Sequence, residues 1–115
     1  MITLYGIKNC DTVKKARIWL ETHKVDYRFH DFRSDGLSET KVKSWLKTLG
    51  IETLVNKRST TWKELDDATK ATFTESTAAS IILTNPTLIK RPLLETTAAT
   101  RVGFNATDYQ ILFSN

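Results

Sequence analysis

One thiol occurs among the 115 residues, that of Cys10, and it stands in Gly6-Ile7-Lys8-Asn9-Cys10-Asp11-Thr12. The stretch before it, Ile2-Thr3-Leu4-Tyr5-Gly6, alternates and is β-rich, whereas Asp11 to His23 sets Val13, Ala16 and Leu20 at helical steps of three and four. Cys10 therefore falls between a strand and the N-terminus of a helix. Unpaired amides and the positive end of the helix dipole stabilise a thiolate there, and the cations Lys8 and Lys14 act in the same direction. Asp11 opposes them unless its side chain turns away to cap the helix. The net expectation is a lowered thiol pKa. Three roles suit such a position: a nucleophile, a non-covalent anion site with Lys8 and Asn9, or a small buried hydrophobe.

The second informative stretch is Leu88-Ile89-Lys90-Arg91-Pro92-Leu93-Leu94. Two adjacent cations precede a proline at the junction of two predicted strands, where a cis Arg91-Pro92 bond would make a sharp, rigid turn. An Arg91 held in that way suits bidentate binding of a carboxylate or oxyanion; the alternative is a pair of solvated charges. Arg58, beside Lys57, and Arg101 are further basic candidates near predicted element ends. His23 and His30 make no metal motif with Cys10, and neither has a spacing that marks it as the thiol's base.

The composition bounds what these residues can belong to. A chain of 115 residues with 40% hydrophobic and 26% charged residues, four Gly and two Pro is a single-domain length with material for one core, not a disordered or fibrous chain. Lys and Arg number 17 against 13 Asp and Glu, a net charge of +4 that suits acidic ligands but is not concentrated enough to predict direct nucleic-acid binding. The single cysteine excludes an internal disulfide and any zinc site built from several cysteines. No secretory leader is visible at the N-terminus, and no stretch approaches the roughly 18 apolar residues of a membrane span. A free thiol in such a chain fits the reducing cytoplasm.

The elements that must position the candidates follow from periodicity. Tyr27 to Phe32 alternates as a second strand after the first helix, completing a βαβ unit. Ser38 caps a helix carrying Val42, Trp45, Leu46 and Leu49, stopped by Gly50. Thr61-Trp62-Lys63-Glu64 has capping-box spacing, and Thr74 precedes a helix ending at Asn85-Pro86. Residues 37–85 thus read as a helical insertion within one domain spanning 1–115. Strand character is expected again at Leu88-Ile89 and at Leu93 to Thr97. A turn at Ala98-Ala99-Thr100 would let Arg101 to Phe104 pair back, and Asn105 caps a last helix to about Phe113. The fold class is α/β (α+β), a mixed sheet with helices packed on it. Trp19, Trp45 and Trp62 read as packing anchors.

Ile2 to Thr12 together with Leu88 to Leu94 resembles the arsenate reductase ArsC/Spx family, its YffB-like branch above all. The likeness extends over the Tyr27 to Asp31 stretch and Thr60-Thr61-Trp62. It implies a thioredoxin-like fold with a helical insertion, a cis proline at Pro92, a redox-active or nucleophilic Cys10, and Arg91 close to that thiol. Arsenate reductases of the family hold their oxyanion with three arginines, of which Arg91 alone carries over. Asn56 and Phe104 stand at the other two positions, with Arg58 and Arg101 nearby as substitutes. Losing two charge-assisted contacts of roughly 1.5 to 3 kcal/mol each weakens oxyanion binding by orders of magnitude. Spx members bind RNA polymerase and many carry a Cys-x-x-Cys switch; Val13 occupies the second cysteine position here.

The resemblance and the residues together imply a thiol-dependent reductase with Cys10 and Arg91 catalytic and Lys8, Asn9, Arg58, Lys90 and Arg101 as candidate anion contacts. With one cysteine, the resolving thiol must come from outside, glutathione or glutaredoxin being the expected partner and no cofactor being permanently bound. The alternative is an Spx-like regulator that binds RNA polymerase.

Overall fold

The computed structural model describes residues 2–114. By contacts the chain divides into two compact units, one formed by the chain up to Phe32 with the chain from Arg91 onward, the other by Arg33–Lys90.

The first unit holds the sheet. Strands β1 (Thr3–Gly6) and β2 (Arg28–Asp31) flank helix α1 (Asp11–Thr22) in sequence and pair in parallel, Leu4 beside Phe29 and Gly6 beside Asp31. Strand β3 (Leu93–Glu95) pairs antiparallel with β1, Tyr5 opposite Leu93. Strand β4 (Thr100–Val102) pairs antiparallel with β3 in turn, giving the order β2-β1-β3-β4. A βαβ half followed by a ββα half around such a mixed sheet is a thioredoxin-like arrangement.

One sheet face is covered by α1 and by the last helix of this unit, Ala106–Phe113. Leu4 and Leu94 of the sheet, Val13, Ala16 and Leu20 of α1, and Tyr109 of the last helix form a cluster with no solvent exposure. The three α1 residues are those the helical spacing marks as apolar. Gly6 lets α1 come down onto the sheet, because a Cβ at that position would stand 2.7 Å from Val13 Cγ2. Arg17 and Glu21 fasten the far part of α1 to the approach to β2. Arg17 Nε donates to Tyr27 Oη at 3.1 Å, Tyr27 Oη donates to Glu21 at 2.6 Å, and the Arg17 guanidinium lies 4.2 Å from the centre of the Phe29 ring.

The second unit is helical: α2 (Glu39–Leu49), α3 (Ile51–Leu54), α4 (Thr60–Glu64), α5 (Asp67–Ala71) and α6 (Glu75–Thr84), then a 3₁₀ turn (Pro86–Leu88). Ser38 caps α2 by accepting from the Lys41 amide at 3.1 Å, and Gly50 ends it at φ +80°, a backbone region that favours glycine. Thr74 and Thr77 form the capping box of α6. Trp45 is 1% exposed within this unit, and Trp62 packs edge-on against Phe73 at 5.2 Å. The helix running Ala106–Phe113 is α7, and Asn105 caps it by accepting from the Asp108 amide at 3.0 Å.

Three local expectations are corrected. Ser59, not Thr61, caps α4, accepting from the Trp62 amide at 3.1 Å, and Thr61 lies inside the helix. Leu88-Ile89 is no strand: Pro86, with its fixed φ and no N–H, opens a 3₁₀ turn, and Ile89 makes only an isolated antiparallel bridge to Val55. The hairpin turn begins at Thr96 because its hydroxyl accepts from the amides of Ala98 and Ala99, which ends β3 at Glu95.

Two stability predictions follow from this core. Gly6→Ala should cost about 1–3 kcal/mol, since Val13 is fully buried and stiff at χ1, and that cost should shrink in a Val13→Ala background. A double-mutant cycle by urea denaturation measures the coupling; equal cost in both backgrounds would remove the close approach from the account. The Tyr109 hydroxyl is buried with no hydrogen-bond partner among the described residues, and burial, then the Asp108 charge, raise its pKa above the ordinary tyrosine range. The folded chain thus holds this proton more tightly than the unfolded chain, where tyrosine titrates near about pH 10. The resulting stabilisation is present below about pH 10 and is lost as pH rises towards the folded value. Tyr109→Phe should match or exceed the wild-type stability at neutral pH, by up to about 1 kcal/mol, and decline less steeply in alkali.

Candidate functional site

The register brings the Cys10 link and Arg91-Pro92 to one end of the sheet. β1 ends at Gly6 beside Asp31 of β2, β3 starts at Leu93 opposite Tyr5, and Val102 of β4 lies opposite Leu93. Hence the Ile7–Cys10 link, Arg91-Pro92 and Gly103-Phe104 all leave the sheet at the same end. The Arg91-Pro92 peptide is cis, as expected, and Pro92 is buried with its carbonyl accepting from the Gly103 amide at 2.8 Å.

Cys10 is the N-cap residue of α1, with extended backbone (φ −105°, ψ 122°), and its carbonyl accepts from the Lys14 amide at 3.0 Å. Its side chain caps no amide. It is half-buried and packs against the Leu4, Val13, Ala16 and Leu94 cluster. Asp11 is the first helical residue and exposed; its carboxylate sits favourably for the helix dipole without being the N-cap. Chemically this is a free, half-buried sulfur packed against apolar groups at the positive end of a helix.

Lys8 and Asn9 are exposed in the link that precedes the thiol. Arg91 is half-buried, and among the described residues no hydrogen bond or ion pair engages its guanidinium. Arg101 is placed otherwise. It lies opposite Leu94 on the α7 side of the sheet, with Nε 3.6 Å from the Asp108 carboxylate and a guanidinium N–H donating to the Thr100 carbonyl at 3.4 Å. Phe104 packs edge-on against Tyr109 with ring centres 4.9 Å apart.

Arg58 and Lys90 belong to the helical unit. Arg58 is exposed and its amide donates to Asn56 Oδ1 at 3.0 Å, so Asn56 shapes the turn that leads into Ser59 and α4. Lys90 Nζ donates to the Glu52 carbonyl at 3.4 Å, and the Lys90 amide to the Leu54 carbonyl at 2.9 Å.

Sequence reasoning missed Asp31. It is 5% exposed, the one buried charged residue among those described, and its Oδ2 accepts from the Lys8 amide at 3.3 Å. A signal was available: Tyr27 and Phe29 set the parity of apolar positions, and Asp31 stands where that parity asks for another apolar residue.

The chain is similar to known proteins over almost its whole length. A protein of Haemophilus influenzae described as uncharacterized is 47% identical over 114 residues, covering 99% of this chain and 100% of its own. The global transcriptional regulator Spx of Streptococcus pyogenes is 29% identical over 117 residues, covering 99% of this chain and 86% of the regulator. Among solved structures, a protein titled YFFB superposes with a TM-score of 0.92 at 43% identity, covering 96% of this chain and 97% of that one. The ArsC family model matches residues 5–112, which takes in the Cys10 link, the cis Arg91-Pro92 peptide and nearly all of α7. A thiol at the N-terminus of α1 and a cis proline opening β3, on a chain matched almost from end to end, make this protein a member of the ArsC family, in its YffB-like branch.

Proposed function

We propose that the protein is a thiol-dependent reductase in which Cys10 is the nucleophile and Arg91 orients an anionic partner. The observation that carries this is the position of Cys10: N-cap of α1, its side chain engaged with no amide, at the sheet end that the register shares with Arg91 and Pro92. The thiol stands at the positive end of α1, and the exposed Lys8 and Asn9 precede it in the link.

The electron balance fixes the rest of the cycle. The Cys10 thiolate attacks one sulfur of a disulfide, the S–S bond breaks, and one thiolate leaves, taking a proton from solvent. Cys10 then carries a mixed disulfide. Because the sequence holds no second cysteine, a second external thiol must attack that disulfide, return Cys10 as thiolate and leave as the oxidised product. Glutathione fits the role of the resolving thiol, with carboxylates for Arg91 and Lys8 to meet, and glutaredoxin is an alternative donor; the disulfide first attacked must come from another thiol, because glutathione in both places gives exchange with no net reduction. Such chemistry belongs in the reducing cytoplasm.

Incubation with oxidised glutathione should add one glutathionyl group to wild type and none to Cys10→Ser, read by intact-protein mass. Arg91→Ala should slow adduct formation by about tenfold or more, the equivalent of one charge-assisted contact. Arg101→Ala should leave the rate within about twofold, because its guanidinium is turned to Asp108 and the Thr100 carbonyl. A wild type that forms no adduct removes the reductase reading.

The second reading is a regulator that, like Spx, binds RNA polymerase, and the similarity to the S. pyogenes regulator over almost the whole chain favours it. Recovery of polymerase in equal amount by wild type and Cys10→Ser would support regulation over reduction. Arsenate turnover in a coupled assay with glutathione and glutaredoxin, abolished by Arg91→Ala, would restore arsenate as the substrate.

A further inference from the structure

We propose that Asp31 is the positioning residue for Cys10, holding the link between β1 and α1 through the Lys8 amide; the inference rests on Cys10 being the nucleophile. Side chains along a strand alternate between faces, so Asp31 shares the face of Phe29 and, across the pair with β1, that of Leu4 and Gly6. This is the face on which α1 packs, and Gly6 leaves its own side-chain space to Val13. The Asp31 carboxylate therefore projects beside the first turn of α1, at the sheet end from which the Cys10 link departs.

A carboxylate in that place is costly to bury and needs donors to offset the lost hydration. The Lys8 amide is one, at 3.3 Å to Oδ2. Lys8 stands two residues after β1 ends and two before Cys10, midway along the link, where neither the sheet ladder nor the helix holds the backbone. At its β1 end the link is held by the Phe32 amide donating to the Gly6 carbonyl at 2.9 Å, and at its α1 end by the Lys14 amide donating to the Cys10 carbonyl at 3.0 Å. Asp31 supplies a hold between them. With all three in place, the thiol has a set position at the helix terminus; with the middle one gone, the link is free to move Lys8, Asn9 and Cys10 together. A nucleophile displaced by about 1 Å loses up to about a hundredfold in rate, so a single acceptor can govern the reaction without touching substrate.

The test compares Asp31→Asn, which keeps an acceptor oxygen in place without the charge, with Asp31→Ala, which removes it, under conditions where circular dichroism shows each to be folded. Two quantities are read: hydrogen exchange of the Lys8 amide by NMR, and the second-order rate of Cys10 adduct formation with oxidised glutathione. Asp31→Ala is expected to lose Lys8 protection and slow the adduct by about tenfold or more, whereas Asp31→Asn should keep the protection and stay within about threefold of wild type. A wild-type rate in Asp31→Ala overturns the proposal, and so does an Asp31→Asn as slow as Asp31→Ala, which would assign the effect to charge or packing. If Asp31→Ala does not fold, Asp31→Ser, whose hydroxyl is too short to reach the amide, takes its place. Should wild type form no adduct, the nucleophile reading fails by itself; Lys8 protection then decides the hold, and protection unchanged on loss of the carboxylate overturns it.

Discussion

The approach of α1 to the end of β1 sets the geometry of the candidate site. A Cβ on Gly6 would meet Val13 Cγ2 at 2.7 Å, so the helix can rest this low on the sheet only over a residue without a side chain. Val13, Ala16 and Leu20 then bury fully against Leu4 and Leu94, and that burial fixes the axis of the helix. Once the axis is fixed, the place where its positive end emerges is fixed too, and Cys10 occupies it. The Arg17, Tyr27 and Glu21 hydrogen bonds secure the same helix further along, so the thiol is positioned by packing at one end of α1 and by polar contacts beyond its middle.

The sheet order gives that position its neighbours. Because β1 is central and antiparallel to β3, the residues that follow β1 and those that precede β3 leave the sheet on the same side. Cys10 and Arg91, 81 positions apart in the chain, are thereby brought to one end of the sheet by strand pairing alone. The β2 partner adds Asp31 to the same end through parallel pairing with Gly6. The Cys10 thiol, the Arg91 cation and the buried Asp31 acceptor thus depend on two ladders that must both be in register, since a slip of one residue would turn Leu4 and Leu94 out of the core with them.

Much of this was legible in the sequence because it is local. The β-rich run before Cys10, the helical spacing of Val13, Ala16 and Leu20, the Ser38, Thr74 and Asn105 caps and the Gly50 stop each depend on a few neighbouring residues, and each recurs in the structure. What was not legible depends on partners distant in the chain. Ile89 is β-branched and follows a leucine, yet it finds a single partner in Val55, so its propensity never becomes a strand. Ser59 and Thr61 are both competent caps, and local spacing does not choose between them. Arg101 read as a free cation until α7 placed Asp108 beside it. Asp31 broke the apolar parity of its strand, but a donor that its carboxylate meets, the Lys8 amide, lies 23 residues earlier.

The two positions where the family's other arginines would stand are occupied by residues with structural work of their own. Phe104 packs edge-on against Tyr109, whose ring belongs to the fully buried cluster that also holds α1. Asn56 accepts from the Arg58 amide and so forms the turn into Ser59, the cap of α4. A guanidinium at either place would have to replace an aromatic contact or a turn, and these are not positions merely waiting for a charge. An oxyanion with several charged oxygens to satisfy is poorly matched by Arg91 with Lys8, whereas a carboxylate needs one forked donor. On the proposed reductase reading, that asymmetry favours a thiol that carries carboxylates as the partner of Cys10 over a compact inorganic oxyanion. It also agrees with the cysteine count, because on the proposed reductase reading a chain with one thiol needs an external thiol to resolve its mixed disulfide.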